Sequence, residues 1–152
     1  QQPRTKCDLF TFIFERPHEL GWSVDLFPNV MASVINSLHH LYVTYDCIHG
    51  DVKPANILVS MRKTPIFILT DFGTVQPVSH AQQLLSTELQ TLEYRAPERL
   101  MELQVDHSKI DVWSSGILAL DMLISFPVVY GKTEEEQMSQ HVINEKIFSY
   151  ID

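Results

Sequence analysis

The segment from His49 to Val59, HGDVKPANILV, constrains the possible folds of this 152-residue chain more than any other. Asp51, Lys53 and Asn56 crowd one short loop, and the chain then runs straight into branched apolar residues. Residues 57–60 (ILVS) and 66–69 (IFIL) have the β-branched, apolar content of strands, and MRKTP between them marks a turn, which predicts a hairpin. A hairpin returns the chain to its starting point. Asn56 before the first strand and Asp71 after the second are therefore predicted to face common space.

Other stretches surround this unit. Residues 9–14 (LFTFIF) are apolar and aromatic and end at ERP, where Pro17 removes a backbone donor; this predicts a buried strand leading into a stiff linker. From Ser23 to about Tyr45, apolar residues recur at three- and four-residue spacing through Val24, Phe27, Val30, Val34, Leu38 and Tyr42. With Ser23 as cap and Pro28 in the first turns, that spacing predicts a core-facing helix. His39 and His40 on it are adjacent and point in different directions, which argues against a metal pair. A second helix is predicted from Ser108 to Phe126, apolar on nearly every side and so placed in the middle of a core. Thr133 to Phe148 predicts a last helix, with Thr133 as cap and Glu134, Glu135 and Glu136 set against its N-terminal dipole. Between the hairpin and the second helix, Asp71 to about Pro97 has little periodicity, and loops of that length are usually functional. No repeat, low-complexity tract or linker divides the chain. The expected fold class is mainly α, an α+β arrangement with one short β hairpin.

The formal net charge of −8 argues against a general nucleic-acid binder, because phosphate backbones select for Lys and Arg. No apolar run reaches the ~18 residues of a membrane span, and the N-terminus carries no basic region followed by an apolar stretch, so no membrane is expected as partner. Cys7 and Cys47 have no CxxC spacing, which suits a reducing compartment and predicts a cytoplasmic or nuclear location.

The loop residues point to one chemistry. Moving a phosphoryl group to a hydroxyl calls for a carboxylate to orient the hydroxyl and take its proton, a cation on the phosphate, and hard oxygen ligands for magnesium. Asp51, Lys53, Asn56 and Asp71 are residues of those types. Taken singly, Asp51 is an ordinary turn residue and Asn56 an ordinary cap; the set is what carries the reading.

HGDVKPANILV resembles the catalytic loop of eukaryotic protein kinases, and DFG at 71–73 resembles their magnesium motif. EYRAPE at 93–98 is similar to the end of their activation segment, and DVWSSGI at 111–117 to the opening of the central helix of their C-terminal lobe. The motifs follow one another in the kinase order. The resemblance implies that Asp51 is the catalytic base, that Lys53 neutralises the γ-phosphate of ATP, and that Asn56 and Asp71 hold Mg2+. It makes His49 and Asp111 braces of the catalytic loop. It also places residues 9–17 at the hinge, with Phe14 guarding the adenine pocket and Glu15 to Pro17 as the hinge itself. The ERP resembles the hinge of Pim kinases, whereas LQTLEYRAPE and YGKTEEEQM look more like the group of cyclin-dependent, dual-specificity tyrosine-regulated and homeodomain-interacting kinases. Lys53 in DVKPAN follows the serine/threonine pattern, so the implied activity is transfer of the ATP γ-phosphate to Ser/Thr hydroxyls of protein substrates.

The chain also departs from the pattern. Gly50 stands where many kinases carry an arginine that pairs with a phosphate on the activation segment. Ser79, Ser86, Thr87 and Thr91 are accordingly not expected to form an obligatory phosphorylation switch, and Thr91 is expected to touch the catalytic loop. No glycine-rich loop, strand lysine or partner glutamate precedes the implied hinge, and Lys6 lies too close to it to be that lysine. No arginine follows Arg99 to pair with Glu98. Residues 1–152 are thus expected to be a partial kinase domain: the hinge and most of the C-terminal lobe, the N-terminal β lobe lying outside this chain. The alternative is a truncated, catalytically inactive kinase-like binding module.

Overall fold

The computed structural model describes residues 6–61, 63–79, 91–100, 109–129, 133, 135 and 136. In chain order these form β1 (Lys6–Asp8), a helical segment ending in a π turn (Thr11–Glu15), α1 (Pro17–Leu20), α2 (Phe27–Tyr45) and β2 (Cys47–Ile48). Then come β3 (Ile57–Ser60), β4 (Ile66–Leu69), β5 (Gln76–Pro77), α3 (Pro97–Leu100) and α4 (Ile110–Ile124). Helices dominate, joined by two small antiparallel sheets in the orders β1-β3-β4 and β2-β5.

The hairpin lies where it is expected. Ile57 pairs with Leu69 and Val59 with Phe67, and the side chains of these four residues are buried. Leu58 and Ile68, paired across the strands, stay exposed on the opposite face. Immediately before and after the hairpin, the Thr70 N–H and hydroxyl donate to the Asn56 carbonyl at 2.9 and 3.1 Å. That clasp brings the backbones around Asn56 and Asp71 together.

The expected strand at 9–14 is helical instead. The Asp8 carboxylate accepts the Thr11 N–H at 2.8 Å and opens a helical run from Leu9 to Glu15. Leu9, Phe12 and Ile13, at helical spacing, enter the core, while Phe10 stays exposed and meets the Phe14 ring edge-on at 5.1 Å. Aromatic content suggested a strand; the three- and four-residue spacing of the buried positions decided otherwise. The strand is β1, which pairs with β3.

α2 ends where its periodicity implies, but it opens at Phe27, after a 3-10 turn, Val24–Leu26, that takes the Ser23 cap. Ser23 Oγ accepts the Asp25 N–H ahead of the helix, and Asp46, at φ 49°, closes it by donating its N–H to Leu41 and Tyr42. Val30 and Val34 are fully buried, and Ser33 Oγ donates to the Phe67 carbonyl at 2.6 Å, tying α2 to β4. Val24 and Tyr42, expected in the core, remain exposed.

α4 buries one side only. Ile110, Asp111, Ser114, Ile117, Leu118, Asp121 and Met122 face inward, while Val112, Leu123 and Ile124 face out. In the main core cluster of the described residues Leu118 and Met122 meet Phe12, Val30, Val34, Ile57 and Phe67, while Ile48 and Ile110 form a second, smaller one. The expected central position of this helix is therefore corrected to a half-buried one: a 3.6-residue repeat turns one stripe toward that cluster and the opposite stripe away from it. Of the last expected helix, Thr133, Glu135 and Glu136 are described; the Thr133 hydroxyl accepts the Glu136 N–H at 3.2 Å, the capping bond expected of it. Ser86, Thr87 and 137–148 lie outside the described residues. Among the described residues no helix is long and apolar enough to cross a membrane.

Candidate active site

The loop between β2 and β3 is held by α4. Asp111, in the first turn of that helix, accepts the His49 N–H at 2.7 Å and the Gly50 N–H at 2.9 Å, one on each carboxylate oxygen. Burial raises the Asp111 carboxyl above its usual range even though these two backbone donors pull the other way. The His49 ring accepts the Asp51 N–H on Nδ1 and meets the Thr70 carbonyl through Nε2 at 3.0 Å, which fits the tautomer with its proton on Nε2. Thr74 Oγ1 donates to the His49 carbonyl at 2.8 Å, and Phe72 lies edge-on to the His49 ring. The backbone bends sharply at Gly50, where φ is 82°; a Cβ there would sit 3.1 Å from the Thr74 carbonyl oxygen. Glycine is the residue that reaches this conformation without strain.

The bend delivers Asp51 into a cage. The carboxylate is 7% exposed. Its Oδ1 accepts the Thr91 N–H at 3.1 Å and the Thr91 hydroxyl at 2.8 Å. Its Oδ2 accepts from Asn56 Nδ2 at 3.0 Å and pairs with Lys53 Nζ at 2.8 Å. Lys53 Nζ also donates to Thr91 Oγ1, so lysine, threonine and aspartate close a ring. Burial alone would raise the Asp51 carboxyl; hydrogen bonds from Lys53 and Thr91, with the lysine charge, outweigh it and hold the carboxyl below its usual value of 3.8. Thr91, expected as a contact of this loop, is the residue that completes it.

Asn56 ends the short turn Pro54–Asn56 and is buried. Its Nδ2 is committed to the carbonyl and carboxylate of Asp51, which leaves the amide oxygen as the side-chain acceptor for any ligand. Asp71 is exposed, lies at φ 62°, and accepts the Gly73 N–H at 3.4 Å. The Thr70 clasp brings the backbones at Asn56 and Asp71 together, and an amide oxygen and a carboxylate are hard donors of the kind Mg2+ takes.

Phe14, Glu15 and Pro17 do not form the expected hinge. Phe14 is on the helical segment and packs against the core, Glu15 is exposed at the end of that segment, and Pro17 starts α1. The extended backbone that adenine contacts required at these positions is helical, so their assignment as adenine-binding residues is withdrawn.

Two features escaped the sequence reading. The outer face of the hairpin, with Leu58, Ile66 and Ile68 at 38%, 41% and 48% exposure, is an apolar surface two residues from Asn56. Its sequence signal is the unbroken apolar runs ILV and IFIL, which put apolar residues on both faces of a two-stranded hairpin. The second is Asp121, a carboxylate 1% exposed on α4, whose signal is an ionisable residue inside the apolar run GILALDMLI.

The segment after Asp71 is fastened to the same loop. β5 pairs with β2, setting Gln76 against Ile48 and Pro77 against Cys47, and the Val78 N–H donates to the Asp46 carbonyl at 2.9 Å. The DFG segment, through Thr74 and β5, is thus fastened to the loop that carries Asp51, and the returning Thr91 meets Asp51 itself.

The profile of the protein kinase domain matches residues 7–151. The chain is 34% identical over 133 residues to the serine/threonine-protein kinase ppk23 of Schizosaccharomyces pombe, covering 86% of this chain and 32% of that protein. It is 32% identical over 119 residues to dual specificity tyrosine-phosphorylation-regulated kinase 2 of Drosophila melanogaster, covering 78% of this chain and 16% of that one. The probable cyclin-dependent kinase 9 of Caenorhabditis elegans is 33% identical over 114 residues, covering 71% of this chain and 23% of that protein. The chain therefore spans a third or less of the length of these curated relatives. With a catalytic-loop cage around Asp51 and a family match along nearly its whole length, this chain belongs to the eukaryotic protein kinase superfamily.

Proposed function

We propose that this chain is the part of a serine/threonine protein kinase domain that orients the acceptor hydroxyl of a protein substrate and holds the metal end of ATP. The observation that carries the reading is the Asp51 cage. A buried carboxylate kept ionised by Lys53, Asn56 and Thr91 is aimed before substrate arrives, and such preorganisation is what a positioned base requires.

In the transfer, the substrate hydroxyl oxygen forms a bond to the γ-phosphorus, the bond from that phosphorus to the β,γ-bridging oxygen breaks, ADP departs, and the hydroxyl proton passes to Asp51. The four acceptor positions of the Asp51 carboxylate are filled by Thr91, Asn56 and Lys53. One donor must yield to the incoming hydroxyl. Lys53 is partly exposed, at 23% of its side chain, and its ammonium is the cation suited to a γ-phosphate. Asn56, through its amide oxygen, and Asp71 would hold Mg2+, which supplies charge neutralisation on the phosphates when bound. The apolar face of Leu58 would carry the adenine ring. The N-terminal lobe that completes the cleft is expected outside these residues.

Asp51→Asn in the complete polypeptide tests the proposal. Phosphotransfer from labelled ATP to a protein substrate should fall by about 10²–10⁴, the usual worth of a positioned acid or base. An unchanged rate would remove Asp51 from the role. A complete polypeptide that binds Mg-ATP weakly or not at all would favour the binding module.

A further inference from the structure

His49 holds both ends of the span that carries Asp71. Its Nε2 meets the Thr70 carbonyl at 3.0 Å just before Asp71, and its own carbonyl accepts the Thr74 hydroxyl at 2.8 Å just after. His49 is fully buried, and its N–H is fixed on Asp111 at 2.7 Å. Residues 71–73 thus form a short arch with both feet on one fixed residue. Asp71, at the head of the arch, is exposed and lies at φ 62°, a left-handed conformation that an L-residue enters at a cost. Such strain persists where neighbouring contacts hold it.

The second foot is a single hydroxyl. Inside the arch the Val75 N–H donates to the Phe72 carbonyl at 3.2 Å, and Phe72, 57% exposed, lies edge-on to the His49 ring at 5.5 Å. Among the described residues, the side-chain hydrogen bond that ties residues 71–75 to the catalytic loop is the one from Thr74. Gly50 leaves room for it: a Cβ there would lie 3.1 Å from the Thr74 carbonyl oxygen and 3.6 Å from the Thr74 Cβ. Loss of the hydroxyl would also take a donor from the carbonyl of a residue closed to solvent, which costs more than an exposed bond is worth.

We propose that Thr74 is a positioning residue for the metal end of the site: by donating to the His49 carbonyl it fixes the Phe72–Thr74 turn and so sets the backbone from which the Asp71 carboxylate swings. The consequence for Mg2+ rests on the kinase reading, whereas the fixing of the turn stands apart from it.

Thr74→Val removes the hydroxyl and keeps the branched shape, and Thr74→Ser keeps the hydroxyl and drops the methyl. In the complete polypeptide without metal or nucleotide, hydrogen exchange of the Val75 amide, followed by NMR, should quicken about 3–10-fold in Thr74→Val, the scale of one neutral hydrogen bond. Thr74→Ser should return it to near the wild-type rate. The Val34 amide in α2 serves as control and should not change. In phosphotransfer assays, Thr74→Val should raise the Mg2+ concentration for half-maximal activity by a similar factor and leave KM for a protein substrate where it was. Thr74→Ser should restore the Mg2+ value. Val75 exchange that is unchanged in Thr74→Val, or equally fast in both variants, overturns the proposal, because the hydroxyl then does not fix the turn. Faster exchange in Thr74→Val of a polypeptide whose wild type transfers no phosphate would keep Thr74 as the holder of the turn and sink the kinase reading. Faster exchange with an unchanged Mg2+ requirement would overturn the positioning role.

Discussion

Asp51 and Asp71 are both carboxylates of the candidate site, reached from opposite ends of the same hairpin, yet the fold treats them differently. Asp51 is buried, ion-paired to Lys53, bonded to Asn56 and to both donors of Thr91, and its loop is bolted to α4 through Asp111. Asp71 is exposed, and the bond it accepts is the long one from Gly73 in its own turn. The difference teaches which half of the chemistry is built in advance. The group proposed to aim at a hydroxyl is preorganised by the protein. The group assigned to a metal has freedom to adjust to its ligand.

Four outcomes would break or sharpen this contrast. The largest concerns the rate: Asp51→Asn should lower phosphotransfer by about 10²–10⁴ with the Mg2+ requirement unchanged. If the Mg2+ titration shifts instead, the two aspartates share one role and the contrast fails. Next, Asp71→Asn should raise the Mg2+ concentration for half-maximal activity by about 10–100-fold, at least the cost of losing an outer-shell metal partner. Its unfolding midpoint in urea should stay within about 0.5 kcal/mol of wild type, as expected for an exposed residue. A large stability loss would show that Asp71 is held more firmly than its contacts indicate.

Gly50→Ala probes the preformed half through its backbone. An L-residue at φ 82°, with a Cβ 3.1 Å from the Thr74 carbonyl, should cost about 1–2 kcal/mol of stability by urea unfolding. An unaltered midpoint would mean that the bend behind Asp51 relaxes freely. The smallest effect is on pH. The folded Asp51 carboxyl lies below its unfolded value near 3.8, so its stabilising contribution is complete above that pH and fades as pH falls through the folded value. Asp121, raised by burial, contributes in the opposite sense: its share is largest at low pH and is lost as pH rises through its folded value. Unfolding midpoints measured from pH 5 down to pH 2 should therefore fall less steeply in Asp51→Asn than in wild type. An equal slope would mean that the cage does not select the ionised form.

Gly50 also bears on regulation. The segment after Asp71 is held by neutral contacts, Thr74 on His49 and β5 on β2, so its described part is placed without an arginine–phosphate pair at the Gly50 position. Thr91 no longer belongs with the loop hydroxyls whose modification was considered, because its hydroxyl is committed to Asp51 and Lys53. Ser79 is exposed and remains a free-standing test: Ser79→Ala should leave phosphotransfer unchanged, and a loss of activity would contradict a phosphate-independent segment.

What could be read directly was local. The hairpin at 57–60 and 66–69, the turn-capping bond of Ser23 and the end of α2 follow from spacing and turn chemistry within a few residues, and the structure has them there. The reading failed at 9–14, where composition and spacing disagreed and packing against the core settled the matter for helix. With that strand went the adenine contacts of Phe14, Glu15 and Pro17. α4 was legible as a helix but not as a half-buried one, because an apolar stripe does not state what lies on its far side.

The sequence by itself determined which groups are present and the short elements that carry them, since turns, caps and hairpins are governed by neighbours. Only the tertiary structure decided the site: Thr91 meets Asp51 across 40 positions, Asp111 meets His49 across 62, and Asp121 meets Tyr94 across 27. These pairings depend on burying the Leu118 face of α4 against α2 and the hairpin, and a buried polar atom finds its partner wherever that packing puts one.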